Sequence, residues 1–168
     1  MRPLTRLAWL LVAVAGLGCA ATQSEVVERV SQGPKAQELF LIRAYLANGR
    51  EPNFDEKRMW QDRIDERVSR YLREHPELER AERYSDFRFW RQVSVGATRD
   101  EVRTLLEEPD EETIDPALMG ALAKRHWEGI QKRAAEAWLY PVSWVIFFDD
   151  KGTVVEMVRR VGRFSPSD

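Results

Sequence analysis

The chain has 168 residues, 43% apolar and 32% charged, with 26 Lys+Arg against 28 Asp+Glu. That length suits one domain with a core of its own, and the near-neutral balance lacks the basic excess of a nucleic-acid binder. One Cys excludes a disulfide framework and a cysteine-based zinc site, and two distant His, His75 and His126, leave little for a histidine-rich metal site.

Arg2 and Arg6 precede Leu7 to Gly18, a run of twelve apolar or small residues. This is the layout of a bacterial export signal over residues 1–18, and the run is short of the roughly 20 residues that span a bilayer. Cys19 follows Leu17-Gly18 and resembles the lipobox cysteine of a bacterial lipoprotein, although Gly16 and Leu17 reverse the usual order of a large and a small residue. On that reading Cys19 is acylated and becomes the first mature residue. Ala20 behind it, rather than Asp, resembles lipoproteins sorted to the outer membrane. Ordinary cleavage after Ala20 or Ala21 is the alternative, and would discard Cys19.

Residues 19–34 are polar and short of large apolar groups, and read as a flexible tether. A helical region is expected over 35–91. Leu39, Ile42, Tyr45 and Leu46 recur at helical spacing, and Asn48-Gly49 supplies a stop. Asn53 with Glu56 forms a capping-box pair ahead of a stripe through Trp60, Ile64 and Val68, which ends near His75-Pro76. Pro76 opens a shorter helix carrying Leu78, Ala81 and Tyr84. Nine Arg and Lys57 between residues 55 and 91 look basic, but ten acids balance them, so the segment reads as a solvated helix face laced with i, i+4 pairs.

From Val93 the texture changes. VSVGATRDEVRTLLEEPD reads as a short extended piece, a turn at Gly96, and a helix capped by Thr98 with Glu101 as its capping-box partner. Val102, Leu105 and Leu106 face a core, and Glu108-Pro109 stops the helix. A strand is expected at Glu111 to Ile114, a helical insertion over 116–136, and three further strands at 137–140, 143–148 and 153–158. Asp149-Asp150-Lys151-Gly152 forms a hairpin turn, and 161–168 read as a tail. In WVIFF, Trp144, Ile146 and Phe148 line one face while Val145 and Phe147 line the other. An antiparallel strand apolar on both faces must be covered on both: the helix at 99–106 and its predecessors suit one face, and the 116–136 helix suits the other.

Gly96, Thr98, Glu101, Val102, Leu105, Leu106 and Pro109, then Trp138-Leu139-Tyr140, Val145 to Phe148 with its core residue Phe147, and Gly152, resemble the two signature blocks of the SmpA/OmlA (BamE-like) family of small outer-membrane lipoproteins. Ala97 replaces the family's Met, and Glu107 stands where the family has Gly at the helix end. The resemblance implies an α+β fold, with helices packed on a three- to four-stranded antiparallel sheet over 93–160 and the helical region at 35–91 as an N-terminal extension. It implies a protein-interaction role in outer-membrane β-barrel assembly or envelope maintenance, with the membrane and other envelope proteins as partners. A soluble, inhibitor-like binding module resembling β-lactamase inhibitory proteins is the other expectation.

The sequence carries no phosphate loop, HExxH, EF-hand loop or GxSxG elbow. His126, Ser143 and the Asp149-Asp150 pair lack a context that would activate them or hold a metal. No catalytic residue, cofactor, metal or small-molecule substrate is expected.

Overall fold

Trp144–Phe148 is the central strand of a five-stranded antiparallel sheet, and all five of its residues are buried. The computed structural model describes residues 26–161. In chain order it contains β1 (Val26–Val30), β2 (Gln32–Lys35), α1 (Ala36–Asn48), α2 (Phe54–Glu74), β3 (Gln92–Ser94) and α3 (Arg99–Leu106). There follow β4 (Glu111–Thr113), α4 (Pro116–Ala123), α5 (Trp127–Ile130), β5 (Glu136–Tyr140), β6 (Trp144–Phe148) and β7 (Val154–Val161). The main sheet runs β1-β7-β6-β5-β4, and β2 pairs with β3 in a separate two-stranded ribbon. The fold is α+β, as the resemblance implies.

The two faces of β6 are covered from within the chain. Trp144, Ile146 and Phe148 share one core with Leu39 of α1, Trp60, Ile64 and Val68 of α2, and Val102, Leu105 and Leu106 of α3. Val145 and Phe147 share another with Met119 and Ala123 of α4 and Ile130 of α5. A bulge in β7 helps sort these layers. Phe147 pairs with Glu156 and Phe148 with Val154, so Val155 is the extra residue. The slip turns Val154 toward the α1–α3 core while Met157 stays on that side and Val158 faces the other.

Several expectations are corrected. The flexible tether expected over 19–34 does not hold from Val26 onward, which is strand: β1 pairs with β7 over its full length, from Val26 opposite Val161 to Val30 opposite Met157. This edge strand brings the sheet to five strands, one more than the upper expectation. The helical region 35–91 is not an extension, since α1 and α2 build one core with the sheet, and β2 pairs across the supposed boundary with β3.

The insertion 116–136 is not a single helix. It breaks at Lys124, which takes φ 49°, passes through a 3-10 turn at Lys124–His126, and ends at Ile130, with Glu136 already in β5. The break lets the segment reverse and cover a short sheet. The helix expected after Pro76 is only a 3-10 turn, Pro76–Arg80. Residues 1–25, where the export signal and the acylated Cys19 are expected, and residues 162–168, expected as a tail, lie outside the described residues.

Candidate functional site

The signature residues meet where α3 docks on the β6–β7 hairpin. Gly96 turns with φ 88° and its N–H donates to Val154 O at 2.8 Å; Val154 N–H returns to Ala97 O at 2.8 Å. Arg99 N–H donates to Gly152 O at 3.0 Å, and Thr98 bridges Thr153. Gly152, at φ 78°, takes the left-handed conformation that favours glycine, and the Arg99 guanidinium packs over its bare Cα. The turn ahead of it is built by Asp149, whose Oδ1 accepts from Lys151 N–H at 3.0 Å and Thr153 N–H at 2.8 Å. Trp138 and Tyr140 lie in the core with Val102, Leu105 and Leu106, and Phe147 lies on the opposite face of the sheet. Pro109 is half-buried in the turn into β4, where Asp110 N–H donates to Leu139 O at 2.9 Å. Most of these residues hold elements together; Thr98, Glu101 and Gly152 also line a cleft beside α3.

Thr98 caps α3 as expected, accepting from Glu101 N–H at 3.2 Å, but Glu101 does not complete the capping box. Its carboxylate is 3% exposed and takes two 2.7 Å bonds from Nε and Nη2 of Arg83. Those bonds raise the Arg83 guanidinium above its ordinary pKa. The pair lies in a polar cleft of about 460 Å³ between the 3-10 turn and α3, with Tyr71, His75, Asp100 and Lys151 on its walls. Its groups are bonded to one another: Tyr71 OH lies 3.5 Å from Thr98 Oγ1, and His75 Nδ1 lies 3.1 Å from Glu77. Burial raises the Tyr71 phenol above its ordinary pKa.

The other end of α3 places Glu107 in a backbone conformation that favours glycine. Glu107 takes φ 65°, ψ −162°, a region that favours glycine and costs a side-chain-bearing residue of order 1–3 kcal/mol. Three groups hold it. Arg43 donates to Leu106 O at 2.6 Å and Glu108 O at 2.8 Å, Tyr140 OH donates to Glu107 O at 3.0 Å, and Arg67 pairs with its carboxylate at 2.8 Å. Burial pushes the Tyr140 phenol well above its usual pKa, which keeps that donor protonated.

One surface has a different character. Between α1 and α2 a groove of about 380 Å³ is lined by Phe40, Leu41, Phe54 and Trp60, with Lys57 and Arg58 on its rim. Phe40 and Trp60 stack at 4.7 Å between centroids and 12° between planes. Phe54 is 77% exposed, and Tyr45, Leu46 and Met59 nearby in the two helices are exposed too. An apolar floor with a basic rim suits an amphipathic partner segment. Sequence reading missed this groove, although Phe54, which lines it, sits off the buried stripe Trp60–Ile64–Val68 and is its visible signal.

Among the described residues no cluster of three or more His, Cys, Asp or Glu side chains is placed to hold a metal ion, and no helix is long and apolar enough to cross a membrane. Comparison with family models, curated proteins and solved structures found no match.

Proposed function

We propose that the chain is an envelope lipoprotein, anchored through Cys19 to the periplasmic face of the outer membrane of a Gram-negative bacterium, whose α+β body is a non-catalytic protein-interaction module. Outer-membrane β-barrel assembly or envelope maintenance is the setting that the SmpA/OmlA resemblance suggests. The observation that carries the reading is the position of Cys19: it closes an apolar run of signal length and stands seven residues ahead of the first strand at Val26. The α1–α2 groove supports the interaction role, because the sheet's own apolar faces are already covered internally and this groove is not.

The intact mass of the N-terminal peptide from membrane and soluble fractions tests the anchor. A Cys19 start carrying acyl chains supports it. A free Ala21 or Thr22 start in the soluble fraction overturns it and leaves the diffusible, inhibitor-like binding module. A photo-crosslinker placed at Phe54 in the membrane-bound protein tests the groove: recovery of uncrosslinked protein alone counts against it.

A further inference from the structure

Acids and bases balance over residues 55–91, but the fold does not spread them evenly. A cleft of about 640 Å³ lies between the second half of α2 and the π-helical turn Asp86–Trp90. Arg73, Arg88 and Arg91 line it, together with the acids Asp65 and Glu79. Val68, Leu72, Pro76 and Phe89 supply its apolar surface, and the Phe89 ring is 66% exposed.

Arg91 is the buried cation of this cleft. Its side chain is 19% exposed, and Nη2 donates to Asp65 Oδ1 at 2.8 Å. Nε and Nη1 are buried and reach no acceptor among the described residues. Asp65 is half exposed, and the same oxygen also accepts from Gln61 Nε2 at 2.9 Å. One solvated carboxylate therefore leaves the charge of a desolvated guanidinium incompletely answered. The backbone beneath is fixed. Arg91 takes φ 50°, ψ 43°, its N–H donates to Asp86 O, and its O accepts from Ala36 N–H at 2.8 Å.

Arg88 is held differently. Its guanidinium carbon lies 5.6 Å from the centre of the Tyr84 ring and 5.5 Å from that of Phe89, and Nη1 donates to Tyr84 OH. A guanidinium fixed against ring faces keeps its N–H edge for an oxyanion and loses little freedom on binding one. Arg83, Arg99 and Arg103 all end on carboxylates. Arg88 and Arg73 end on none among the described residues.

We propose that this cleft binds a small organic anion, a carboxylate or phosphate ester on a flat apolar body, with the oxyanion on Arg73 and Arg88 and the body against Phe89. The arginine fork matches the geometry of either oxyanion. The charge of Arg91 acts on it through a wall that screens less than water does. A solvated helix face accounts for Arg73 alone, because a cation in the last turn of α2 answers the helix dipole. It accounts neither for the orphaned nitrogens of Arg91 nor for a guanidinium set against two rings. Glu79 opposes the anion and so gives the test a second sign. The site stands or falls independently of the anchor at Cys19.

Titration calorimetry of the full chain in mild detergent, with phenyl phosphate, benzoate, inorganic phosphate and benzylamine as probes, tests it. The expected result is saturable binding of phenyl phosphate or benzoate that weakens with added salt, exceeds that of inorganic phosphate, and is absent for benzylamine. The tighter of the two aromatic anions identifies the oxyanion. Arg73→Gln and Arg88→Gln should each weaken binding about ten-fold, the order of one charge-assisted hydrogen bond. Glu79→Gln should tighten it several-fold. All three side chains are exposed, so the thermal midpoints should stay in place. Binding of neither aromatic anion, equal binding of benzylamine, or binding that survives Arg73→Gln combined with Arg88→Gln overturns the site. Inorganic phosphate binding as tightly as phenyl phosphate overturns the role given to Phe89.

Discussion

Arg83 grips Glu101 with two parallel hydrogen bonds of 2.7 Å, joining the segment after α2 to the first turn of α3 across eighteen positions of sequence. Glu101 is buried and Arg83 is about a quarter exposed, so the pair is one-sided: the carboxylate depends on the guanidinium for its solvation. Removing the cation alone leaves a buried charge, whereas removing both leaves none. Arg83→Ala is expected to destabilise by about 2–4 kcal/mol, discounted for the partial exposure of the arginine. Arg83→Ala with Glu101→Leu is expected to cost less than Arg83→Ala alone. Denaturant midpoints of the four proteins in the cycle check this, and additive losses would show that the two side chains act independently.

Glu107 offers a gain of stability. Glu107→Gly relieves the glycine-favouring backbone at the end of α3 and loses the exposed ion pair with Arg67, a contact of at most about 1 kcal/mol. The net expectation is a stabilisation of about 1 kcal/mol, read as a rise in the thermal midpoint. A fall would mean that Arg43, Tyr140 and Arg67 have already removed the strain.

The start of α2 predicts a pH response. Glu56 accepts from Arg50 at 2.8 Å through both oxygens and from Asn53 N–H at 2.8 Å, and these bonds lower its carboxyl from the ordinary 4.5 to about 2. A lowered folded pKa contributes stability that is fully present above the unfolded value and lost as pH falls through the folded one. The contribution should fade between about pH 4.5 and pH 2. Glu56→Gln should flatten the acid limb of the urea midpoint in that window and leave it unchanged in shape above.

The edge strand makes residues 26–30 structural. Val27 is buried between the sheet and the α4–α5 segment, so Val27→Ala is expected to destabilise by about 2 kcal/mol. The same change in a tether would do nothing. Unfolding of that variant, compared with the original chain, decides between them.

Phe54 separates binding from stability. Because its ring is exposed, Phe54→Ala should shift the unfolding midpoint by less than about 0.5 kcal/mol. Loss of crosslinked partners at the groove with an unchanged midpoint is the expected pair of results. Undiminished crosslinking would place the partner surface elsewhere.

Much of this was legible from local pattern. The Asn53–Glu56 capping box, the Thr98 cap, the Asp149–Gly152 turn and the two-sided apolar strand at 144–148 depend on residues within a few positions of one another, and all appear in the structure. The groove was only half legible. Trp60 reads as part of the buried stripe, but its stacking on Phe40 and the opening beside Phe54 depend on how α1 lies against α2. Local spacing pairs Glu101 with the Thr98 cap, but Arg83, eighteen residues away, holds its carboxylate instead.

By itself the sequence determined the caps at Asn53 and Thr98, the hairpin turn at Asp149–Gly152, and the need to cover β6 on both sides. Those follow from residue chemistry and from periods of two and 3.6, which are short-range properties. Only the tertiary structure decided that Val26–Val30 is a strand, that α1 and α2 belong to the core, and that Arg43 and Tyr140 close the end of α3. VVERV has the β-branched residues for a strand but no local partner. Its hydrogen-bonding edge is supplied by β7, from the other end of the chain.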